Sequence, residues 1–314
     1  MPAQRTPERA GFFFSGGIDS FATLRTNRLH FPLEHPWSIK DGLLAFGLEQ
    51  DRPDIFELVV KSLLPVAQEL GITLIPVYTN IYLPYREEDA ADEDRFRFWK
   101  FEFQGAALAA IAHAFARRLT VVSIAATLDL HYLGVWGSHP LLDPHYSSGD
   151  LRIRHDGIAL SRVAKTKLVA EWGIPLQHLR VCNQYRRYRP GVFNCGECEK
   201  CIRTMLTLLT LGALDQTNSF PSQDVSDELI LKKVNIHDDY VESCYQHLIG
   251  PLAEIGRQDL VRAVEKRIAA YHNRKPTWKQ RVKHFDDKYM NGNVAKMKSL
   301  VFHKRQRPSN DARQ

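Results

Sequence analysis

The chain of 314 residues is 44% hydrophobic and 25% charged, enough for one large domain with an appendage or two modest domains, each with its own core. A net charge of +6 and a pI near 9.0 predict an anionic partner, which ATP, another small anion or RNA satisfies equally. The polar segment Met1–Ala10 leads into only a short apolar run ending at Phe14, and no run reaches the length of a spanning helix; this argues against secretion and membrane insertion, and a cytoplasmic location is expected.

In chain order, short apolar runs bounded by turn or charged residues predict strands at Gly11–Phe14, Leu43–Leu48, Thr73–Tyr78 and Thr120–Ala125. Between them lie predicted helices at Ser20–His30, Asp54–Leu70 and Asp94–Arg118, the last apolar on most faces and therefore expected to be well buried. A further helix, Ser161–Trp172, meets Gly173-Ile174-Pro175, where glycine and then proline predict a stop. This alternation predicts an α/β fold, a Rossmann-like doubly wound parallel sheet that binds ligands beyond the carboxyl ends of its strands.

The first predicted strand runs into Ser15-Gly16-Gly17-Ile18-Asp19-Ser20. Two glycines permit turn conformations closed to other residues and let a ligand approach the main chain. The helix that follows would aim its unpaired N–H groups and the positive end of its dipole at that turn, a place suited to phosphate. No G-x-x-x-x-G-K-[ST] pattern occurs in the chain and no G-x-G-x-x-G follows this strand, so the loop lacks the lysine that accompanies transfer of a terminal phosphate. Ser-Gly-Gly-x-Asp-Ser after a hydrophobic strand resembles the pyrophosphate loop of the N-type ATP pyrophosphatases, which split ATP into AMP and pyrophosphate.

Four of the five cysteines fall within twenty positions: Cys182, then Cys195, Cys198 and Cys201 in a C-x-x-C-x-x-C run. Closely spaced thiolates suit tetrahedral Zn²⁺, with an iron–sulfur cluster or a redox pair as the competing readings. Disulfides are disfavoured in a reducing compartment. Cys244 stands apart and reads as a small buried apolar residue.

Loop and cysteine run together, with Arg203 just beyond, resemble 7-cyano-7-deazaguanine synthase and its relatives over roughly residues 11–210. The resemblance implies an adenine nucleotide alpha hydrolase-like fold carrying a zinc knuckle. It makes Ser15, Gly16, Gly17, Ile18, Asp19 and Ser20 the ATP-phosphate site, and Cys182, Cys195, Cys198 and Cys201 the zinc ligands. It also implies adenylation of a carboxylate, release of pyrophosphate, and attack of a nitrogen nucleophile on the acyl-adenylate. Such chemistry needs the leaving pyrophosphate held by loop N–H groups and hydroxyls, with Asp19 on Mg²⁺ and Ser20 beside it.

Two further segments are candidates to complete the pocket. Gly137–Ser148 offers Ser138, His139, Asp143 and His145 to a polar substrate, although the same residues make turns. Arg162 and Lys165, three apart at a helix start, suit phosphate contact, or else form a solvated basic face. The acidic run Glu87–Asp94 reads first as a solvated helix approach, and as a lid in the sharper reading.

Beyond Leu214 the chain departs from the synthase pattern. Helical spacing at Leu229–Val234, Tyr240–Ile249 and Gln258–Tyr271 predicts a helical extension, and Lys296 to Arg313 forms a basic tail that reads as disordered or as an RNA contact. The expected organisation is a nucleotide-binding α/β domain over 1–180, a zinc knuckle and helix over 181–214, the extension over 215–292 and the tail over 293–314. The extension is expected to pack on the sheet domain or on a second subunit of a homodimer. Three function classes stand: an ATP-dependent ligase acting on a small-molecule or peptide carboxylate, a tRNA-modifying adenylating enzyme, and a non-catalytic nucleotide-binding regulator.

Overall fold

The computed structural model describes residues 8–48, 52–81, 97–184 and 187–274; the acidic run and the basic tail lie outside them. Five parallel strands form one sheet in the order β3-β2-β1-β4-β5. They are β1 (Ala10–Phe13), β2 (Ile39–Phe46), β3 (Thr73–Tyr78), β4 (Val121–Ala125) and β5 (Arg152–Asp156).

Both faces of the sheet are covered, which is why its strands read as nearly continuous apolar runs. Phe14, just past β1, meets Phe21 of α1 (Ile18–His30) edge-on, with ring centroids 5.2 Å apart. On the opposite face, Leu43 of β2 and Val122 and Ile124 of β4 pack with Ala109 and Ala112 of α3 (Gln104–Ala114). Helix α2 (Pro53–Glu69) starts with proline, which loses no hydrogen bond in the first turn, and buries Ile55, Phe56, Val59 and Leu63. The predicted helix Asp94–Arg118 is interrupted, since a π-turn at Trp99–Phe103 precedes α3.

Strand β2 begins at Ile39 rather than Leu43, across a charged Lys40-Asp41 pair, because the buried Asp41 carboxylate receives bidentate hydrogen bonds from Arg9 and Arg118. Strand β5 has Ile153 as its single apolar residue, and as the edge strand among the described residues, paired there with β4 alone, it needs no more. Helix α4 (Arg162–Ala170) stops before Gly173 as expected, and Gly173 then opens a second, short helix, α5 (Gly173–Gln177), with Pro175 inside its first turn.

The Asp41 arrangement carries a pH prediction. Burial disfavours its charge, yet hydrogen bonds from Arg9 and Arg118 outweigh burial and hold its carboxyl below the usual carboxylate range. A depressed folded-state pKa contributes stability that is complete above the unfolded value near ~3.9 and disappears as pH falls through the folded value. Chemical denaturation should therefore show Asp41→Asn less stable than the native chain by about 2 kcal/mol at pH 7, with the gap closing at strongly acidic pH. A gap that persists there would assign the loss to packing.

The second half of the chain is helical: α6 (Glu199–Thr210), α7 (Asp227–Lys233), α8 (Asp239–Glu254) and α9 (Gln258–His272). Ile202, Met205, Leu206 and Leu208 of α6 are fully buried, as are Tyr245, Leu248 and Leu252 of α8. Contacts divide the chain into two units, the first ending at Ile268 and the second starting at Ala269. The knuckle and α6–α8 thus belong to the same unit as the sheet. Among the described residues no helix is long and apolar enough to cross a membrane.

Candidate functional site

The sheet order reverses direction between β1 and β4, so the crevice beyond their carboxyl ends is a topological switch point, where open α/β sheets bind ligands. The Ser15–Ser20 loop leaves β1 at that crevice. Gly16 has φ of +75°, open to glycine but strained for other residues, and a Cβ there would also stand 3.0 Å from Leu63 Cδ2. Gly17 is the N-cap of α1 and supplies no side-chain cap, so the first N–H groups of the helix are left to an external acceptor. The two hydroxyls converge, Ser15 Oγ lying 3.3 Å from Ser20 Oγ, while Ser20 donates to the Gly17 carbonyl at 3.0 Å. Ile18 is buried in the core, which leaves only its backbone for a ligand.

The tertiary structure brings Arg162 and Lys165 of α4 to this loop. Arg162 Nη1 donates to Asp19 Oδ2 at 3.0 Å, and Lys165 Nζ lies 3.5 Å from Asp19 Oδ1. Lys165 is buried and anchored by a 2.6 Å hydrogen bond to the Ala126 carbonyl at the end of β4. Burial opposes the Asp19 charge, but Arg162, Lys165 and Lys200 together hold its carboxyl below the usual range. Lys165 is shifted down, by burial first, with Asp19 working against the shift. Two buried atoms in the cluster, Asp19 Oδ1 and Arg162 Nε, make no hydrogen bond. Asp19 Oδ1 faces the Lys165 ammonium as an ion pair without a hydrogen bond, and a guanidinium N–H without an acceptor, at Arg162 Nε, suits an anion.

The four cysteines also converge. Their sulfurs all lie within 4.8 Å of one another, with Cys182–Cys198 at 3.8 Å and Cys195–Cys201 at 4.0 Å. Tetrahedral zinc with Zn–S bonds of ~2.3 Å sets sulfurs about 3.8 Å apart. Backbone N–H groups point at the sulfurs, from Gln184 to Cys182 at 3.2 Å and from Cys198 to Cys195 at 3.2 Å, as they would to thiolates. The cluster can therefore hold a metal ion such as zinc. Cys244 stands apart and buried, 3.4 Å from Arg203 Nη1.

The Gly137–Ser148 segment is tied to the sheet by Asp143. Its fully buried carboxylate accepts from Ser138 Oγ at 2.7 Å, from His139 N at 3.2 Å and from His155 Nδ1 of β5 at 2.7 Å. Asp143 is thus occupied within the protein, and His145 is exposed. Ser138, His139 and His155 line a cleft at the end of β4, together with Gln104, Leu128 and Trp136. His155 is not legible in the sequence, because a histidine in a charged strand carries no signal until its partner is known.

The helical extension packs on the sheet domain, one of the two expected arrangements, and reaches the crevice. Tyr240 of α8 donates to the Thr127 carbonyl just past β4 at 2.9 Å, and the Arg203 guanidinium lies 5.9 Å from its ring. Burial raises the Tyr240 pKa, so its hydroxyl stays a donor.

Fold and site together define an α/β protein with an uncapped glycine-rich turn at its switch point, an acid held by two cations, and a four-cysteine centre. No family model matches the chain, and no curated protein is significantly similar to it.

Proposed function

We propose that the chain is an ATP-dependent adenylating enzyme of the pyrophosphate-loop kind, which activates a carboxylate for attack by a nitrogen nucleophile. The observation that carries this reading is the Asp19, Arg162 and Lys165 cluster at the uncapped start of α1, where Asp19 Oδ1 meets Lys165 only as an ion pair and Arg162 Nε makes no hydrogen bond. Arg162, Lys165 and the first N–H groups of α1 would bind the β- and γ-phosphates, and Asp19 Oδ1 would hold Mg²⁺. The metal supplies charge neutralisation on the phosphates.

In the first step a carboxylate oxygen of the acceptor bonds to the α-phosphorus, and the bond to the bridging oxygen of the β-phosphate breaks. The loop stabilises the charge that accumulates on the departing pyrophosphate, where fixed N–H dipoles and buried cations are most effective. In the second step a neutral nitrogen bonds to the acyl carbon, AMP leaves, and the nitrogen loses a proton. The acceptor would lie beside β4, where Trp136, His139 and His155 line a small cleft at the carboxyl end of the sheet. Zinc at the four cysteines would be structural, because four thiolates leave no open coordination position.

The test is to incubate purified protein with ATP, Mg²⁺, ammonium and a panel of carboxylates, with and without RNA. AMP and pyrophosphate in equal amounts with one acceptor are expected. ADP and phosphate, or binding of ATP with no release under any condition, would overturn the reading; turnover that needs RNA would move it to the RNA-modifying class.

A further inference from the structure

The phosphate loop and the cysteine centre are far apart in sequence yet share one set of backbone ties. Arg180 N donates to the Gly16 carbonyl at 2.8 Å, and Arg180 Nε donates to the Ser15 carbonyl at 2.8 Å. Two residues further on stands Cys182. The Asn194 side chain, next to Cys195, accepts from Val181 N at 2.9 Å and Cys182 N at 3.2 Å, and donates to the Leu179 carbonyl at 2.7 Å. Tyr188 closes the circuit: its hydroxyl donates to the Cys182 carbonyl at 2.6 Å, and the Arg180 guanidinium lies 5.9 Å from its ring. Asn194 and Tyr188 are both buried. On the other side of the centre, Lys200, between Cys198 and Cys201, acts on the Asp19 charge.

We propose that the cysteine metal centre holds the conformation of the Ser15–Ser20 loop, with Arg180, Tyr188 and Asn194 as the positioning residues that join them. The physical reason is that the Arg180–Cys182 strip is only three residues long. Its far end is fixed by a metal–sulfur bond, and its near end holds the Ser15 and Gly16 carbonyls, whose peptide planes carry the N–H groups of Gly16 and Gly17. Without metal, Cys182 becomes an ordinary thiol, the strip is held by the Asn194 and Tyr188 hydrogen bonds alone, and the loop loses its rigid support. The metal is then a positioning device for anion binding and takes no part in the chemistry. The consequence for ATP rests on the proposed function; the mechanical link does not.

The experiment measures hydrogen exchange of a peptide spanning residues 12–21 by mass spectrometry. It compares zinc-loaded protein, protein stripped by a chelator, and zinc-loaded Arg180→Ala, with a β2 peptide as the internal control. Arg180→Ala should keep its zinc and its β2 protection, while loop exchange rises about tenfold, and stripping should raise it at least as much. Loop exchange unchanged in a folded, zinc-loaded Arg180→Ala protein would overturn the proposal, whatever stripping does to the rest of the chain. Isothermal titration with ATP and Mg²⁺ separates the two readings. If the native protein binds no ATP while loop exchange still follows zinc, the nucleotide reading falls and the link stands. If it binds ATP equally well loaded, stripped and as Arg180→Ala, with unchanged loop exchange, the link falls and the nucleotide reading stands.

Discussion

Cys201→Ser is expected to abolish metal binding at the four cysteines and to lower the stability of the fold by about 4 kcal/mol or more, because a structural zinc site of the proposed kind contributes folding free energy directly. Cys201 is fully buried in the first turn of α6, and that helix carries Ile202, Met205 and Leu206 into the core. A metal bond at its start would anchor the helix within the unit that also holds the sheet and α8. Serine is a poor zinc ligand, and its hydroxyl would sit among three facing thiolates with no cation to balance them. Metal content by atomic absorption together with thermal unfolding checks the expectation. Cys244→Ser is the control, since Cys244 is equally sequestered but stands apart from the centre, and it should keep its metal. Full metal content and an unchanged melting temperature in Cys201→Ser would remove the cysteines from any structural role.

Asp19→Asn is expected to reduce pyrophosphate release by about 10²- to 10³-fold while leaving the fold intact, the size of loss seen when one group that stabilises transition-state charge is removed. Asparagine keeps the shape and the acceptor for Arg162 Nη1 but removes the charge that would hold Mg²⁺. The same change leaves Arg162 and Lys165 without their counter-charge. Metal-free ATP should therefore bind Asp19→Asn at least as tightly as the native chain, while Mg²⁺ no longer improves the affinity. That split between binding and turnover separates a metal-holding acid from a residue that only braces α4. Equal pyrophosphate release in the two proteins would remove Asp19 from the reaction.

Both expectations start from residues whose chemistry is legible in the amino-acid sequence. Gly16 announces a turn because its left-handed backbone conformation is strained for other residues, and the cysteine spacing announces a candidate metal site because thiolates two residues apart fit one tetrahedron. Strand Thr73–Tyr78 is readable to the residue. Strand β5 is not, because an edge strand buries one side chain and its sequence Arg-Ile-Arg-His-Asp carries no apolar pattern. The start of β2 is hidden for a different reason: Asp41 argues against a buried strand until Arg9 and Arg118, distant in sequence, are seen to neutralise it.

The amino-acid sequence by itself determined the alternating α/β plan, the glycine turn after the first strand and the four-cysteine set, since each follows from local backbone and ligand chemistry. Only the tertiary structure decided that Arg162 and Lys165 meet Asp19, that Asp143 is spent on His155 and Ser138, and that Arg180 and Asn194 lie between loop and cysteines. Those pairings join residues as far as 165 positions apart. A charged side chain declares its partner only through space, where burial makes an unpaired charge too costly to keep.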